Sequence, residues 1–498
     1  MNRRNLLKGA ALAPAFVQSS FAQSAEVKNV IFMVADGMSP GVHPLAEEFS
    51  KMMRGGGTVW HELLAKPETV RGLFDMASLN SMVTDSSSAS TSWSTGSRIF
   101  NAQVNVLPDG TKLTPIAHLV RSHGKRVGLV TTCTCTHATP AGFAAIEKKR
   151  DNEESIGDQY RAVCDIVLGG GLKFFDPKLR KDKKDALAEF RADGFTVCLN
   201  KTELAAAAPS AQKILGLFAD GHLPFRVDHQ ENPILQSRVP TLAEMSKTAI
   251  EFLDKSSPNG FLLQLEGGRV DHGAHNNDAA AMLWDQLAFD DAVRVALDYA
   301  QRKGDTLVVL CTDHGNSNPG LFGVGAEYAE SNQAFARLAG FKGSYVALAR
   351  QFGQELEYKV KKGDTLRIPD PRDVQDMVKG LTALSLTQTE AWYICEGLAR
   401  LGPVNINKQF EKLSGILGQV FSNHTGIGWI GSTHTSDYVI TTAVGPGAGQ
   451  FAGLVRNTDV FHKLTRLMGF TYKNPEMDAV AARKFSAALP VRERPDWA

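Results

Sequence analysis

Short runs of consecutive apolar residues recur along the chain, and polar or charged residues sit at their C-terminal ends. The runs are KNVIFMVAD (28–36), RVGLVTTCTC (126–135), CDIVLGGG (164–171), GFLLQLEGG (260–268), DTLVVLCTD (305–313) and SDYVITTAV (436–444). Continuous rather than alternating hydrophobicity predicts strands buried on both faces. Between some of them the pattern becomes that of amphipathic helices, as in TLAEMSKTAIEFLDKS (241–256) and NDAAAMLWDQLAFDDAVRVALDYAQRKG (277–304). Strands alternating with helices predict an α/β fold, a large and mainly parallel central β-sheet sandwiched by helices. Residues 320–423 have few strand-like runs and several helix-like ones, including DVQDMVKGLTAL and FEKLSGILGQVF, and read as a helix-rich insertion.

Composition changes this picture only at the margins. The chain has 498 residues, 43% of them hydrophobic, and a net charge of +1. That is enough apolar material for a large core, and the charge argues against a basic nucleic-acid-binding face. No apolar run reaches the roughly 18 residues of a membrane span. The first 22 residues stand apart. MNRRNLLKGAALAPAFVQSSFAQS has a basic start, an apolar stretch and a small-residue site at Ser20-Phe21-Ala22. Arg3-Arg4 followed by Leu6, Leu7 and Lys8 resembles a twin-arginine export signal, so residues 1–22 are expected to be removed from a periplasmic or secreted protein. The six cysteines, Cys133, Cys135, Cys164, Cys198, Cys311 and Cys395, match no zinc spacing and read as buried thiols or one or two disulfides.

The chemistry lies at the strand ends. Asp36 ends the first run, Glu266 the fourth and Asp313-His314 the fifth, while Asp271 and His275 follow Glu266 and Thr136, His137 and Thr139 follow the second. Ligands of open α/β sheets bind beyond the carboxyl ends of strands. Any one of these residues alone reads as a cap, a turn or a surface pair. Together, carboxylates and imidazoles without thiolates suit zinc alongside a harder ion such as magnesium, and point to a multi-metal hydrolase. TDSSSASTSWSTG (84–96) adds six serines in thirteen positions, which composition alone leaves open between a flexible linker and a reactive hydroxyl.

In chain order, FMVADGM (32–38), TDSSSASTSWSTG (84–96), HATPAGFAA…R (137–150), EGGRVDHGAH (266–275), TDHG (312–315) and THT (433–435) resemble the alkaline phosphatases. The resemblance spans roughly residues 27–318 and 424–470 and leaves out the helical insertion. It implies a catalytic domain made of residues 27–319 and 424–498. It further implies that Asp271, His275 and His434 hold one zinc, and that Asp36, Asp313 and His314 hold a second, which also binds Ser86. Asp36, Thr139 and Glu266 would hold a magnesium. Ser86 would be the nucleophile, forming a phosphoserine, and Arg150 would clamp the phosphoryl group; its setting, EKKRDNEE, otherwise reads as a solvated charged face. His137 and His272 stand where some bacterial members have Asp and Lys, and are assigned to substrate binding outside the ligand set. The substrates implied are phosphate monoesters, and a homodimer is a family trait.

Rival readings remain open. A phosphodiesterase or sulfatase-like hydrolase of the same superfamily would share the two-metal core, and a non-catalytic phosphate- or metal-binding protein would need no nucleophile. His424 competes with His434, but only His434 directly precedes the run 436–444. His43, His61, His118 and His222 read as ordinary surface or packing residues. In the serine stretch, the register of the resemblance picks Ser86 over Ser87 and Ser88. A buried helix is predicted to begin there, behind Asp85, and to end at Gly96.

Overall fold

A computed structural model describes residues 27–353, 370–399 and 407–486. The expected export signal, residues 1–22, lies outside the described residues. Eight strands come first along the chain: β1 (Asn29–Val34), β2 (Val70–Asp75), β3 (Arg126–Thr134), β4 (Ile166–Gly170), β5 (Phe195–Cys198), β6 (Lys213–Leu217), β7 (Phe261–Glu266) and β8 (Thr306–Cys311). They join Val439–Val444 and Gly453–Arg456 in one ten-stranded sheet. From β8 the order runs β1, β7, β3, β4, β6 and β5, all parallel. Val439–Val444 lies antiparallel between β8 and β2. The fold is therefore α/β with a mostly parallel sheet.

Period-two alternation shows that both faces are covered. Ile31 and Met33 of β1 join one core cluster with Leu263, Leu265, Val308 and Leu310. Val30, Phe32 and Val34 join the other, with Leu262, Leu307 and Val309. The helices Leu242–Ser256 and Ala279–Lys303 cover the first face, and Ser86–Thr95 and Ala138–Ala144 the second. Leu242–Ser256 starts where Thr241 and Glu244 exchange hydrogen bonds in a capping box. Ala279–Lys303 starts on the Asp278 cap and stops at Gly304, whose φ of 73° is left-handed.

All six predicted strands are present, but four others carry no comparable apolar run. β5 and Gly453–Arg456 form the two edges and have four residues each. β2 alternates exposed and partly buried positions, and β6 is a five-residue stretch, KILGL, too short for periodicity to separate strand from helix.

Within 320–423 the described residues include the helices Ser331–Ala336, Tyr345–Gln351, Pro371–Thr382 and Gln388–Ala399. Their apolar side chains do not form a separate core. Phe335, Leu338, Tyr345, Val374 and Ile394 belong to the same cluster as Ile31 and Leu263. The helix Leu413–Thr425 runs across residue 423, and the pairing of Gly320–Leu321 with Ile427–Gly428 brings the two ends of the segment together. All six cysteines are buried, and none is in a disulfide among the described residues. No described helix is long and apolar enough to cross a membrane.

Candidate active site

Strand register builds the site. Val34 stands level with Glu266 across β1 and β7, and with Cys311 across β1 and β8. Three adjacent parallel strands thus deliver Asp36, Glu266 and Asp313 to one place. The next turn is drawn tight: the Gly37 and His314 N–H groups both donate to Asp313 Oδ1 at 3.0 Å. Gly37 has φ 67°, and a Cβ there would lie 2.3 Å from Asp271 Oδ1. Only glycine lets the β1 turn approach the helix Arg269–His275 that carries Asp271 and His275.

The last ligand candidate arrives from far along the chain. His434 and Thr435 pair antiparallel with Gly315–Asn316, directly after His314. The His314 and His434 rings stack with centroids 3.6 Å apart. His434 Nδ1 donates to the Thr84 carbonyl at 2.9 Å, and His275 Nδ1 to the Ser432 carbonyl at 2.8 Å. A carbonyl can only accept, so each Nδ1 carries the proton and, in a neutral ring, each Nε2 is a bare lone pair. Burial, then the neighbouring His314, pushes His434 down to about 3, which keeps it neutral. The two Nε2 atoms face each other at 3.1 Å, with Asp271 Oδ2 3.3 Å from His275 Nε2. Such a convergence needs a proton or a cation in its midst.

Two further ligand groups adjoin this one. Asp36, Asp313 and His314 offer ligand atoms within 4.8 Å of one another, as do Asp36, His137 and Glu266. Neither oxygen of Asp36 or Glu266 has a hydrogen-bond partner, nor does Thr139 Oγ1, all of them buried, and Asp313 Oδ2 has His314 Nε2 3.1 Å away. A buried carboxylate left in this state costs several kcal/mol. Burial, then Asp313, Asp271 and Glu266, holds the Asp36 carboxyl well above its ordinary range, and burial pushes Glu266 up to about 7. Divalent cations would reverse both shifts and satisfy the orphaned oxygens, so the donor set fits them. His137, expected outside the ligands, lies within reach of the third group.

Ser86 opens the buried helix Ser86–Thr95, behind an Asp85 cap that accepts from Ser88 N, and the helix stops at Gly96 with φ 77°. Its neighbours are committed to the fold. Ser87 Oγ donates to Asp85 Oδ2, Ser88 Oγ to the Ile99 carbonyl and Ser90 Oγ to the Thr139 carbonyl. Ser86 Oγ instead lies 3.2 Å from His314 Nε2. The small side chains serve packing: a Cβ on Gly142 of the facing helix would come within 2.2 Å of Ser90 Oγ. The stretch is a close-packed helix and not a linker.

Arg150 is 6% exposed despite its charged neighbours. Its Nη1 donates to Asp85 Oδ2 at 3.1 Å and its Nη2 to His137 Nε2 at 3.2 Å. The cap of the serine helix therefore holds the arginine beside Ser86. Beyond His137 stand His272 and His222, their rings each 5.7 Å from His137 and 4.5 Å from one another. His222, read from sequence as an ordinary residue, is part of this group. It follows β6, which was not among the predicted strands. His424 is not part of the site: its Nε2 lies 3.1 Å from Glu390 Oε1.

A family model for alkaline phosphatase matches residues 27–470. The chain belongs to the alkaline phosphatase family. It is therefore an enzyme, a phosphoric monoester hydrolase by family. It is 28% identical over 463 residues to alkaline phosphatase 3 of Bacillus subtilis, covering 90% of each chain. The crystal structure of the Thermus thermophilus alkaline phosphatase superposes with a TM-score of 0.84 at 32% identity, over 96% of this chain and all of that one. A TAB5 alkaline phosphatase variant, in which a histidine is replaced by glutamate and magnesium is bound in the M3 site, matches at 25% identity and a TM-score of 0.63, over 90% of this chain and 100% of its own.

Proposed function

We propose that this chain is an exported alkaline phosphatase that hydrolyses phosphate monoesters through a phosphoserine on Ser86. The observation that carries the reading is the Ser86 hydroxyl, released from the bonds that tie its neighbours and set against His314 and the orphaned carboxylates. Asp271, His275 and His434 would hold one zinc and Asp36, Asp313 and His314 a second, with Asp36, Thr139 and Glu266 holding a magnesium; the magnesium in the TAB5 relative supports the last assignment. Bound there, such cations lower the pKa of an adjacent hydroxyl and offset phosphoryl charge.

The protein's own groups do the rest. The Ser86–Thr95 N-terminus and the planar Arg150 guanidinium receive the phosphoryl oxygens, and Asp85 holds Arg150 in place from behind. Ser86 Oγ gives up its proton to solvent and attacks phosphorus in line, the ester bond breaks, and the leaving oxygen takes up a proton from solvent and departs as the alcohol. Water then loses a proton and attacks phosphorus from the vacated side, the Ser86–phosphorus bond breaks, Ser86 Oγ is reprotonated and phosphate is released. Catalysis is chiefly positioning and charge stabilisation.

Rates on a phosphate monoester and a phosphate diester, measured on the parent and on Ser86→Ala, test the proposal. A monoester preference lost in Ser86→Ala is expected. A diester preference, or equal rates in both proteins, overturns it. Export by the twin-arginine route and a homodimeric state belong to the same proposal.

A further inference from the structure

Two histidines beside the phosphate clamp have their protons placed by neighbours that can only donate. The Thr134 backbone N–H donates to His222 Nδ1 at 3.0 Å, and Arg269 Nη1 donates to His272 Nδ1 at 2.7 Å. Neither an amide N–H nor a guanidinium can accept, so both Nδ1 atoms carry lone pairs. Each neutral ring must then carry its proton on Nε2. Arg269 is itself firmly held. It is 5% exposed, its backbone N–H donates to Thr132 Oγ1, and its guanidinium lies 3.7 Å above the Phe225 ring. Its side-chain bond goes to a neutral imidazole and not to a carboxylate, and its buried Nε has no hydrogen-bond partner. Its charge is felt by the Asp228 and Asp285 carboxylates, while its side-chain bond is spent on fixing the His272 ring.

We propose that Arg269 is a positioning residue that locks His272, which the resemblance already assigns to substrate binding, as its Nε2–H tautomer, and that His222 adds a second N–H donor beside it for an oxygen of the phosphate dianion held by Arg150. This rests on the phosphatase reading above. These residues are one unit in space: His222 and Phe225 come from the loop after β6, His272 and Arg269 from the helix after β7, and His137 links them to Arg150. The Arg269 bond takes His272 Nδ1 out of the Cys133, His137 and His272 group as a metal ligand. The His272 nitrogen 3.8 Å from Cys133 Sγ is Nδ1, the one already engaged by the arginine cation.

The test compares the metal-loaded parent with Arg269→Met, Arg269→Lys and His222→Phe, using inorganic phosphate as competitive inhibitor and a phosphate monoester as substrate. Arg269→Met should raise KM and the phosphate inhibition constant together, roughly tenfold, with kcat within about twofold of the parent. His222→Phe should raise both by a smaller factor. Arg269→Lys should recover most of the loss, because an ammonium also donates to Nδ1. Nitrogen-15 spectra of the histidine rings should show one His272 tautomer in the parent and in Arg269→Lys, and a mixture in Arg269→Met. Unchanged phosphate inhibition in both Arg269→Met and His222→Phe overturns the inference while leaving the phosphatase reading intact. So does a single His272 tautomer in Arg269→Met. A parent that hydrolyses no phosphate ester overturns the phosphatase reading instead. His222→Phe lies outside the Arg269 packing and carries the test if Arg269→Met does not fold.

Discussion

His275 and His434 on one side of the site, and His222 and His272 on the other, are the same side chain put to opposite uses. The first pair donate from Nδ1 to the Ser432 and Thr84 carbonyls and turn bare Nε2 atoms toward Asp271. The second pair accept at Nδ1 from the Thr134 N–H and from Arg269, and so carry their protons on Nε2. One pair suits a cation and the other an anion. The residue type does not decide between them. The second neighbour of each ring does, because it fixes which nitrogen holds the proton.

The comparison can be broken most forcefully from outside both pairs. Ser86→Ala leaves the four rings in place and should lower kcat/KM by roughly 10⁴-fold or more, with metal content unchanged. Loss of metal in that variant would mean that the two halves of the site are not separable. Next in size, His434→Ala removes one bare nitrogen and should cost about one zinc per chain with at least a roughly 100-fold loss of activity. His222→Phe should keep the parent's zinc content by the same elemental analysis. A zinc loss in both variants would erase the distinction between the pairs.

A third expectation concerns protons. Burial pushes the Glu266 carboxyl up to about 7 in the metal-free protein. Below that pH the folded protein holds a proton that magnesium must displace, and above it the carboxylate is already ionised. Magnesium affinity measured by calorimetry should therefore rise with pH through the range in which the Glu266 and Asp36 carboxyls lose their protons, and flatten above it. Glu266→Gln should lessen that dependence, with Asp36 still titrating, along with much of the affinity. The smallest effect is expected at the decoy. His424 is paired with Glu390 away from the site, so His424→Ala should stay within about twofold of the parent in kcat/KM.

Much of the site was legible because its parts are tied to local signals. Asp36, Glu266 and Asp313 stand at the ends of apolar runs that read as buried strands, and Asp85 and Gly96 mark the helix they enclose. Legibility failed where the signal is not local. β2, β5, β6 and the strand Gly453–Arg456 are short or half-exposed, and become strands only because a longer neighbour supplies the ladder. With β6 unrecognised, the loop carrying His222 and Phe225 had no visible place. Arg150 shows the other limit. Its neighbours in sequence are charged and solvated, yet the guanidinium is buried because Asp85, sixty-five residues away, accepts its hydrogen bond. The segment 320–423 was legible as helical but not as part of the main core, since an amphipathic pattern does not say which apolar surface it will cover.

The six strands of the apolar runs, the serine that opens a helix and the acids that close strands were set by the sequence alone, because periodicity, capping and strand ends act over a few residues. The tertiary structure decided the rest. It decided which carboxylates stand without partners, which histidine nitrogens are bare, and that Arg269 sits buried against a neutral ring. Those properties depend on burial and on single hydrogen-bond donors or acceptors brought from distant segments, and no local pattern encodes a partner on another strand.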